Sequence, residues 1–311
     1  MDPARGRQLD LAANWVNDAL VKVTGDSRVL ALGTFQNNKE VQLFDTAMLY
    51  PVYGLINAGR LTSFGSNVAN LTLNKGTVAV TAGSTLSTPS FLANQGLVQV
   101  DGVLRIGDPP PEFDGGSAAI PTTGPLFTNE ASGVLAGTGT IAVSDGQGSI
   151  QNFGTIAPGG VGTIGTLTLG ANLFMEDGST FAVDLLNTSS HDRLVVTGSV
   201  AATSGTTVAV NLLPGASFME GDTFRVVQSG GLDATTLPKV DKPQLRDEAS
   251  GNDLLLVATS LVGPQLVEAQ QQANNQVTTF ADLFVKMSED QDKERIGKDD
   301  IVVTDTACTT R

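Results

Sequence analysis

The segment Gly160-Val161-Gly162-Thr163-Ile164-Gly165, with Asp184 about 20 residues on, spells the fingerprint of a dinucleotide site. That chemistry needs a strand before the glycines and, after them, a helix whose N-terminus meets the pyrophosphate. Here Thr166-Leu167-Thr168-Leu169-Gly170 alternates as a strand, so the cofactor reading fails on context. Ser190-His191-Asp192 holds the three residue types of a hydrolase triad, but direct neighbours in sequence cannot form the relay, and the chain contains no Gly-Xaa-Ser-Xaa-Gly. His191 is read as an exposed loop residue and Asp192 as a turn former that caps backbone amides. Asp108, Glu112 and Asp114 lack the spacing of a calcium loop and read as an ordinary solvated acidic loop. Asp101, Asp184, Asp192 and Asp222 fall in different parts of the chain, so the paired carboxylates of a glycan-cleaving solenoid do not assemble. The expected catalytic, cofactor-binding and metal residues are none.

Composition points the same way. The chain has 311 residues and a net charge of −14, which repels phosphate, so nucleic acid is not an expected partner. One His and one Cys leave out sites built on several histidines or two thiolates, and Cys308 reads as a free thiol. Asn70 and Asn187 open glycosylation sequons by spelling alone. The start shows no apolar stretch of a signal peptide, and the longest apolar run, Leu254 to Ala258, is far short of the ~20 residues that span a bilayer.

The elements that would carry such residues are set by a repeat. Asn57-Ala58-Gly59, Asn74-Lys75-Gly76, Asn94-Gln95-Gly96 and Asn152-Phe153-Gly154 each precede a short alternating apolar stretch, and Asn129 with Gly133 is a looser copy. The intervals between these asparagines are 17, 20, 35 and 23, a period near 20 with one insertion. Alternation with period two and Gly, Asn and Ser boundaries predicts strands and turns. Gly is expected to supply positive φ at each corner, and Asn to bond its own backbone. One such turn cannot bury its apolar face, but stacked turns cover one another, which predicts a parallel β-solenoid with Asn57, Asn74 and Asn94 in a buried or half-buried amide ladder. An antiparallel sandwich or barrel is the competitor, and a sandwich gives no reason for identical residues at every corner.

Residues 1–27 are expected as an irregular cap, since Leu9, Ala12, Val16, Ala19 and Val23 fit a helical stripe while Leu20–Val23 also fits a strand. Residues 28–260 form the solenoid, interrupted by a Pro- and Gly-rich loop at 108–125 that must leave the sheet. Residues 261–311 hold an amphipathic helix along Ala273, Val277, Phe280, Phe284 and Met287, then a charged tail. Ile301–Thr304 is left open between an edge strand and a loose end.

Gly137-Thr-Gly-Thr-Ile, Asn152-Phe-Gly-Thr-Ile-Ala-Pro-Gly-Gly160, Gly165-Thr-Leu-Thr-Leu-Gly170, Gly178-Ser-Thr-Phe-Ala-Val-Asp-Leu185, His191-Asp-Arg-Leu-Val-Val-Thr-Gly198 and Gly221-Asp-Thr-Phe224 follow one another in the chain. This order resembles the closing repeats of autotransporter and filamentous-haemagglutinin-like passengers. The resemblance implies a right-handed parallel β-helix in a secreted bacterial surface protein. The ending, Asp300 to Arg311, departs from an autotransporter's closing barrel and looks more like haemagglutinin-type exoproteins exported through a separate outer-membrane partner pore. The resulting expectation is an all-β, non-enzymatic rod, secreted or on the cell surface, acting in adhesion or aggregation through a host-cell or glycan receptor. Without export signals in this chain, it reads as a fragment or a mis-started chain. The alternatives are a β-helix polysaccharide-active enzyme and an inactive fragment of a larger exoprotein.

Overall fold

A computed structural model describes residues 7–90, 92–107, 127–143, 146, 148–263, 301–303 and 308–310, the last two stretches by backbone alone. The loop expected at 108–125 and the helix expected after Pro264 lie outside these residues. Among the described residues the regular elements are all strands, and they wind in successive turns. The first turn is β1 (Gln8–Leu11), β2 (Trp15–Asn17) and β3 (Leu20–Val23); the second is β4 (Arg28–Ala31), β5 (Phe35–Asn37) and β6 (Glu40–Asp45). The third is β7 (Met48–Pro51), β8 (Leu55–Asn57) and the first half of β9 (Arg60–Ala69), whose second half opens the fourth with β10 (Leu71–Asn74) and β11 (Thr77–Val80). Then come β12 (Thr85–Thr88), β13 (Leu92–Asn94) and β14 (Leu97–Val100), followed by β15 (Val103–Ile106), β16 (Phe127–Asn129) and β17 (Val134–Gly137). The next two turns are β18 (Thr140–Val143), β19 (Ser149–Asn152) and β20 (Thr155–Pro158), and β21 (Thr166–Gly170), β22 (Asn172–Met175) and β23 (Thr180–Asn187). After the short β24 (Ser190–His191), β25 (Arg193–Ala202) and β26 (Thr207–Leu212) make one turn, and β27 (Thr223–Leu232) and β28 (Lys239–Val240) another.

Apart from β24, which folds back antiparallel on β23, these strands pair in parallel with their counterparts one turn away, which decides for a solenoid-like stack over the sandwich or barrel. The irregular cap expected over residues 1–27 is replaced from Gln8 onward by a full turn, because Gln8–Leu11, Trp15–Asn17 and Leu20–Val23 each find a partner strand about twenty residues on. The ends are closed differently. At one end β30 (Asp253–Ala258) runs antiparallel against β27, and β29 (Leu245–Ser250) pairs antiparallel with β30 and carries Arg246, Asp247 and Glu248, charges that discourage a further strand. At the other end β31 (Ile301–Val303) pairs in parallel with β3 and antiparallel with β32 (Cys308–Thr310), so the choice left open for this stretch resolves to a strand over 301–303.

Alternation sends every second side chain inward, and the inward positions stack as like on like. Val21, Val41, Leu61, Val78, Val98, Leu135, Ile156, Phe181 and Val208 form one continuous buried column. A second runs through Phe35, Leu55, Leu71, Leu92, Phe127, Ile150 and Leu173, with Trp15 edge-on over Phe35 at 4.8 Å. Each such side chain contributes about 1.5–3 kcal/mol by leaving water.

The corner asparagines form a longer ladder than the sequence suggests. Nδ2 of Asn17 donates to Oδ1 of Asn37 at 2.8 Å, Asn37 to Asn57 at 2.7 Å, Asn57 to Asn74 at 2.8 Å and Asn74 to Asn94 at 2.7 Å. Asn94 donates to Asn129 at 2.7 Å and Asn129 to Asn152 at 2.6 Å, after which the column ends on the Met175 sulfur at 3.4 Å. Each ladder amide from Asn17 to Asn129 also donates to the backbone carbonyl that opens the next turn's strand: Glu40, Arg60, Thr77, Leu97, Val134 and Thr155. Side chain and backbone thus lock the same register.

The corner glycines serve a purpose other than the expected one. None of Gly59, Gly76, Gly96, Gly133 and Gly154 has positive φ. A Cβ at Gly59 would collide with the carbonyl oxygen of Lys39, one at Gly76 with that of Gly59, and one at Gly96 with that of Gly76. Glycine is there so that one backbone can lie directly on the last. Where Lys39 takes the corner instead, the bond from Glu40 N to Ala19 O is 3.4 Å, against 2.7–2.8 Å for Arg60 to Lys39, Thr77 to Gly59 and Leu97 to Gly76.

Candidate functional site

Of the residues singled out in the sequence, Asp184, His191, Asp192 and the Gly160–Gly165 segment come together at one place, around β23 and the arm that follows it. β23 runs on to Asn187, beyond the stretch paired with β20. The chain then reverses at a turn in which Oδ1 of Asn187 accepts from the backbone N–H of Ser189 at 3.0 Å, and β24 returns antiparallel to β23. This reversal lays Asp192 on the backbone of Asp184. Asp192 N donates to Asp184 O at 2.9 Å, and Asp184 N donates to Asp192 Oδ2 at 2.8 Å.

The glycine-rich segment closes over the same spot. Gly159, Gly160 and Gly162 have φ of 73°, 87° and 80°, which folds the chain between β20 and β21 into a tight loop. Its last residue, Gly165, donates its N–H to Asp192 Oδ1 at 2.8 Å and accepts from Arg193 N at 2.9 Å. Asp192 therefore caps amides, as its sequence context suggests, and joins three chain segments. The loop leads straight into β21, a strand, so no helix N-terminus stands behind the glycines to receive a phosphate.

Burial governs the electrostatics. Asp184 and Asp192 are 3% and 1% exposed. Burial pushes the Asp192 carboxyl up to about 7, with the N–H donors of Asp184 and Gly165 opposing and the Asp184 charge adding to the rise. Burial likewise raises Asp184, against the Asn211 amide and the backbone N–H groups of Gly162 and Thr163. Asn211 Nδ2 donates to Asp184 Oδ1 at 2.7 Å, while Asp184 Oδ2 is buried without a hydrogen bond.

His191 is the correction. It was expected in an exposed loop, yet it is 5% exposed, because β24 turns it inward over the ring of Phe224 at 5.6 Å. Its Nε2 lies 3.3 Å from the Arg225 carbonyl oxygen, and its Nδ1 is buried without a partner. Burial, with the positive charge of Arg193, lowers its pKa. Its ring hydrogen-bonds neither Ser190 nor Asp192 within the geometry described, so the three neighbours form no relay.

The other acids stay apart. Asp101 accepts from Thr138 N at 3.1 Å, and Asp222 caps Met219 N at 2.8 Å. Asn70 is buried and donates to Pro51 O at 2.6 Å, which closes that sequon. Among the described residues no three metal-ligating side chains gather. An apolar cavity of about 30 Å³, lined in part by Leu173, Phe181, Leu194 and Leu232, has room for a water rather than an organic substrate. The Asp184–Asp192 site is thus closed to a substrate in this structure: both Asp192 oxygens face backbone amides, and Asp184 lies beneath the loop. No protein-family model matches the chain, and no curated protein matches it.

Proposed function

We propose that the chain is a non-enzymatic, secreted or surface-exposed rod of the filamentous-haemagglutinin-like or autotransporter-passenger kind, right-handed in its winding and acting in adhesion or aggregation. The observation that carries this reading is the stack itself, in which corners and strand faces repeat in register along one axis. Equivalent weak contacts along such an axis add through multivalency. The phrases that carry the resemblance support it further, since each falls on strands or corners of consecutive turns: Gly137–Ile141 on β17 and β18, Asn152–Pro158 on β19 and β20, Gly178–Leu185 on β23 and Gly221–Phe224 on β27.

The receptor in this reading is a host-cell or glycan surface, and export passes through an outer-membrane partner pore. The segment 108–125, inserted between β15 and β16, is the first candidate for contact. The test is binding of the purified chain to host cells and to a glycan panel, with and without residues 108–125. Binding that falls on deletion supports the reading. Release of reducing sugar from acidic polysaccharides, or a native protein confined to the cytosol, overturns it.

A further inference from the structure

The first turn is finished by a strand from the far end of the chain. β31 lies beside β3 in parallel, with Val21 opposite Ile301, Lys22 opposite Val302 and Val23 opposite Val303. β3 meets β6 on its other edge in the same parallel manner, so β31 fills the place that the third strand of a preceding turn would take. Among the described residues β1 and β2 pair on one side only, with β4 and β5. The tail alone adds a strand to this end.

It reaches that seat from the other end of the stack. Val262 is bridged to Phe218, shortly before β27, and the strands from β26 back to β3 are joined by successive parallel pairings. At ~4.8 Å for each pairing the way back is roughly 40 Å. Residues 264–300 join the two ends, and fully extended they would reach up to roughly 120 Å, so the link is long enough to run along its own stack or across to a neighbour. The seat itself is small, three register pairs backed by the antiparallel β32. So short a pairing opens at low cost, and an identical tail from another copy makes identical contacts.

We propose that β31 exchanges between copies, so that the tail of one rod docks on β3 of a second. The contact is heterologous, because the tail leaves near one end of the stack and seats on the other. Copies lying end to end continue the exchange as a chain of rods, and two copies lying antiparallel close it as a pair. The tail makes this link in place of direct stacking of the rods, since β29 lines the far end with Arg246, Asp247 and Glu248 and the amide ladder stops at Met175. The exchange depends on the stack and on the tail's seat, and it stands whether or not a receptor is found.

The test uses the full chain carrying Cys308→Ser in two forms, one with Lys22→Cys and one with Val302→Cys. Parallel neighbours at ~4.8 Å lie within reach of a disulfide. In an equal mixture under mild oxidation, a bond joining positions 22 and 302 can form only between copies, and peptide mass mapping identifies it. Its yield is expected to rise about tenfold or more between about 10 μM and about 1 mM, as neighbouring tails approach the effective concentration of a tethered one. A mixture of the Lys22→Cys form with a Met219→Cys form, exposed but out of register, serves as the collision control. The chain carrying both Lys22→Cys and Val302→Cys reads the seat itself, and it is expected to close within one copy at low concentration. A 22–302 bond between copies no more abundant than the control at every concentration, or a doubly substituted chain that stays reduced, overturns the proposal.

Discussion

Replacing Asn94 by alanine takes one rung out of the middle of the amide ladder. Its Nδ2 donates to Asn129 Oδ1 at 2.7 Å, Gly96 O at 3.0 Å and Val134 O at 3.3 Å, and its Oδ1 accepts from Asn74 Nδ2 at 2.7 Å and Gly96 N at 3.2 Å. Asn74 keeps the carbonyls of Gly76 and Leu97 as acceptors, but Asn129 Oδ1 loses its hydrogen-bond donor from the turn before. A hydrogen bond contributes about 1 kcal/mol net, and a buried polar group left unpaired costs about 1–3 kcal/mol, so Asn94→Ala should destabilise by roughly 3–5 kcal/mol. Asn17→Ala, at the end of the ladder, leaves Asn37 Oδ1 with the Lys39 amide and should cost roughly 1–2 kcal/mol by the same arithmetic. The sharper comparison is Asn94→Asp. Aspartate is the same size but sets an acceptor against Asn129 Oδ1 and buries a charge, so it should cost more than alanine. Urea unfolding of the three variants, compared by midpoint at constant slope, reads these differences. If aspartate proves milder than alanine, or Asn94→Ala costs under about 1 kcal/mol, the ladder is packing rather than hydrogen bonding and the reasoning fails.

Gly96→Ala should destabilise by more than about 2 kcal/mol because its Cβ meets the Gly76 carbonyl, whereas Gly178→Cys, at an open corner with φ of 83°, should cost only the strain of that backbone; thermal denaturation compares them. Phe127→Ala empties the centre of an inward column and should cost about 3–5 kcal/mol in the same assay. Folded Asp192 lies near 7 against 3.8 in the unfolded chain, so the folded state binds the proton more tightly between those values. Its stabilising contribution is complete below pH 3.8 and lost as pH rises through 7, at most roughly 4 kcal/mol, and Asp192→Asn should remove that slope. His191 acts with the opposite sign: its lowered pKa makes the folded state lose stability as pH falls below about 6.5.

The scaffold was legible in the sequence because its signals are local and periodic. Asn57, Asn74, Asn94, Asn129 and Asn152 announce themselves by the glycine that follows, while Asn17 and Asn37 escape because Ala19 and Lys39 stand where the glycine would be. The strand that opens three residues after Asn17, Asn37, Asn57, Asn74, Asn94 and Asn152 alike is the signal that finds them. The interval of 17 between Asn57 and Asn74 marks the turn in which β9 runs through the corner without a break and the register slips between Leu71 and Leu73. The Asp184–Asp192 pair was not legible as a pair. It depends on an arm outside the period, whose reversal brings residues eight apart face to face, and on a glycine loop whose spelling points to a different chemistry. The role of the corner glycines was misread for a related reason: composition shows that a side chain is excluded but not whether φ or the neighbouring backbone excludes it.

The central claim is that turns about twenty residues apart stack in parallel and in register. It is tested most directly by pairs of cysteines introduced on outward positions of a chain carrying Cys308→Ser. Gln36 lies opposite Ile56 on β5 and β8, so Gln36→Cys with Ile56→Cys should close a disulfide under mild oxidation, while Gln36→Cys with Ala58→Cys, two residues out of register, should remain reduced. Closure of the offset pair, or of neither, would contradict the stack.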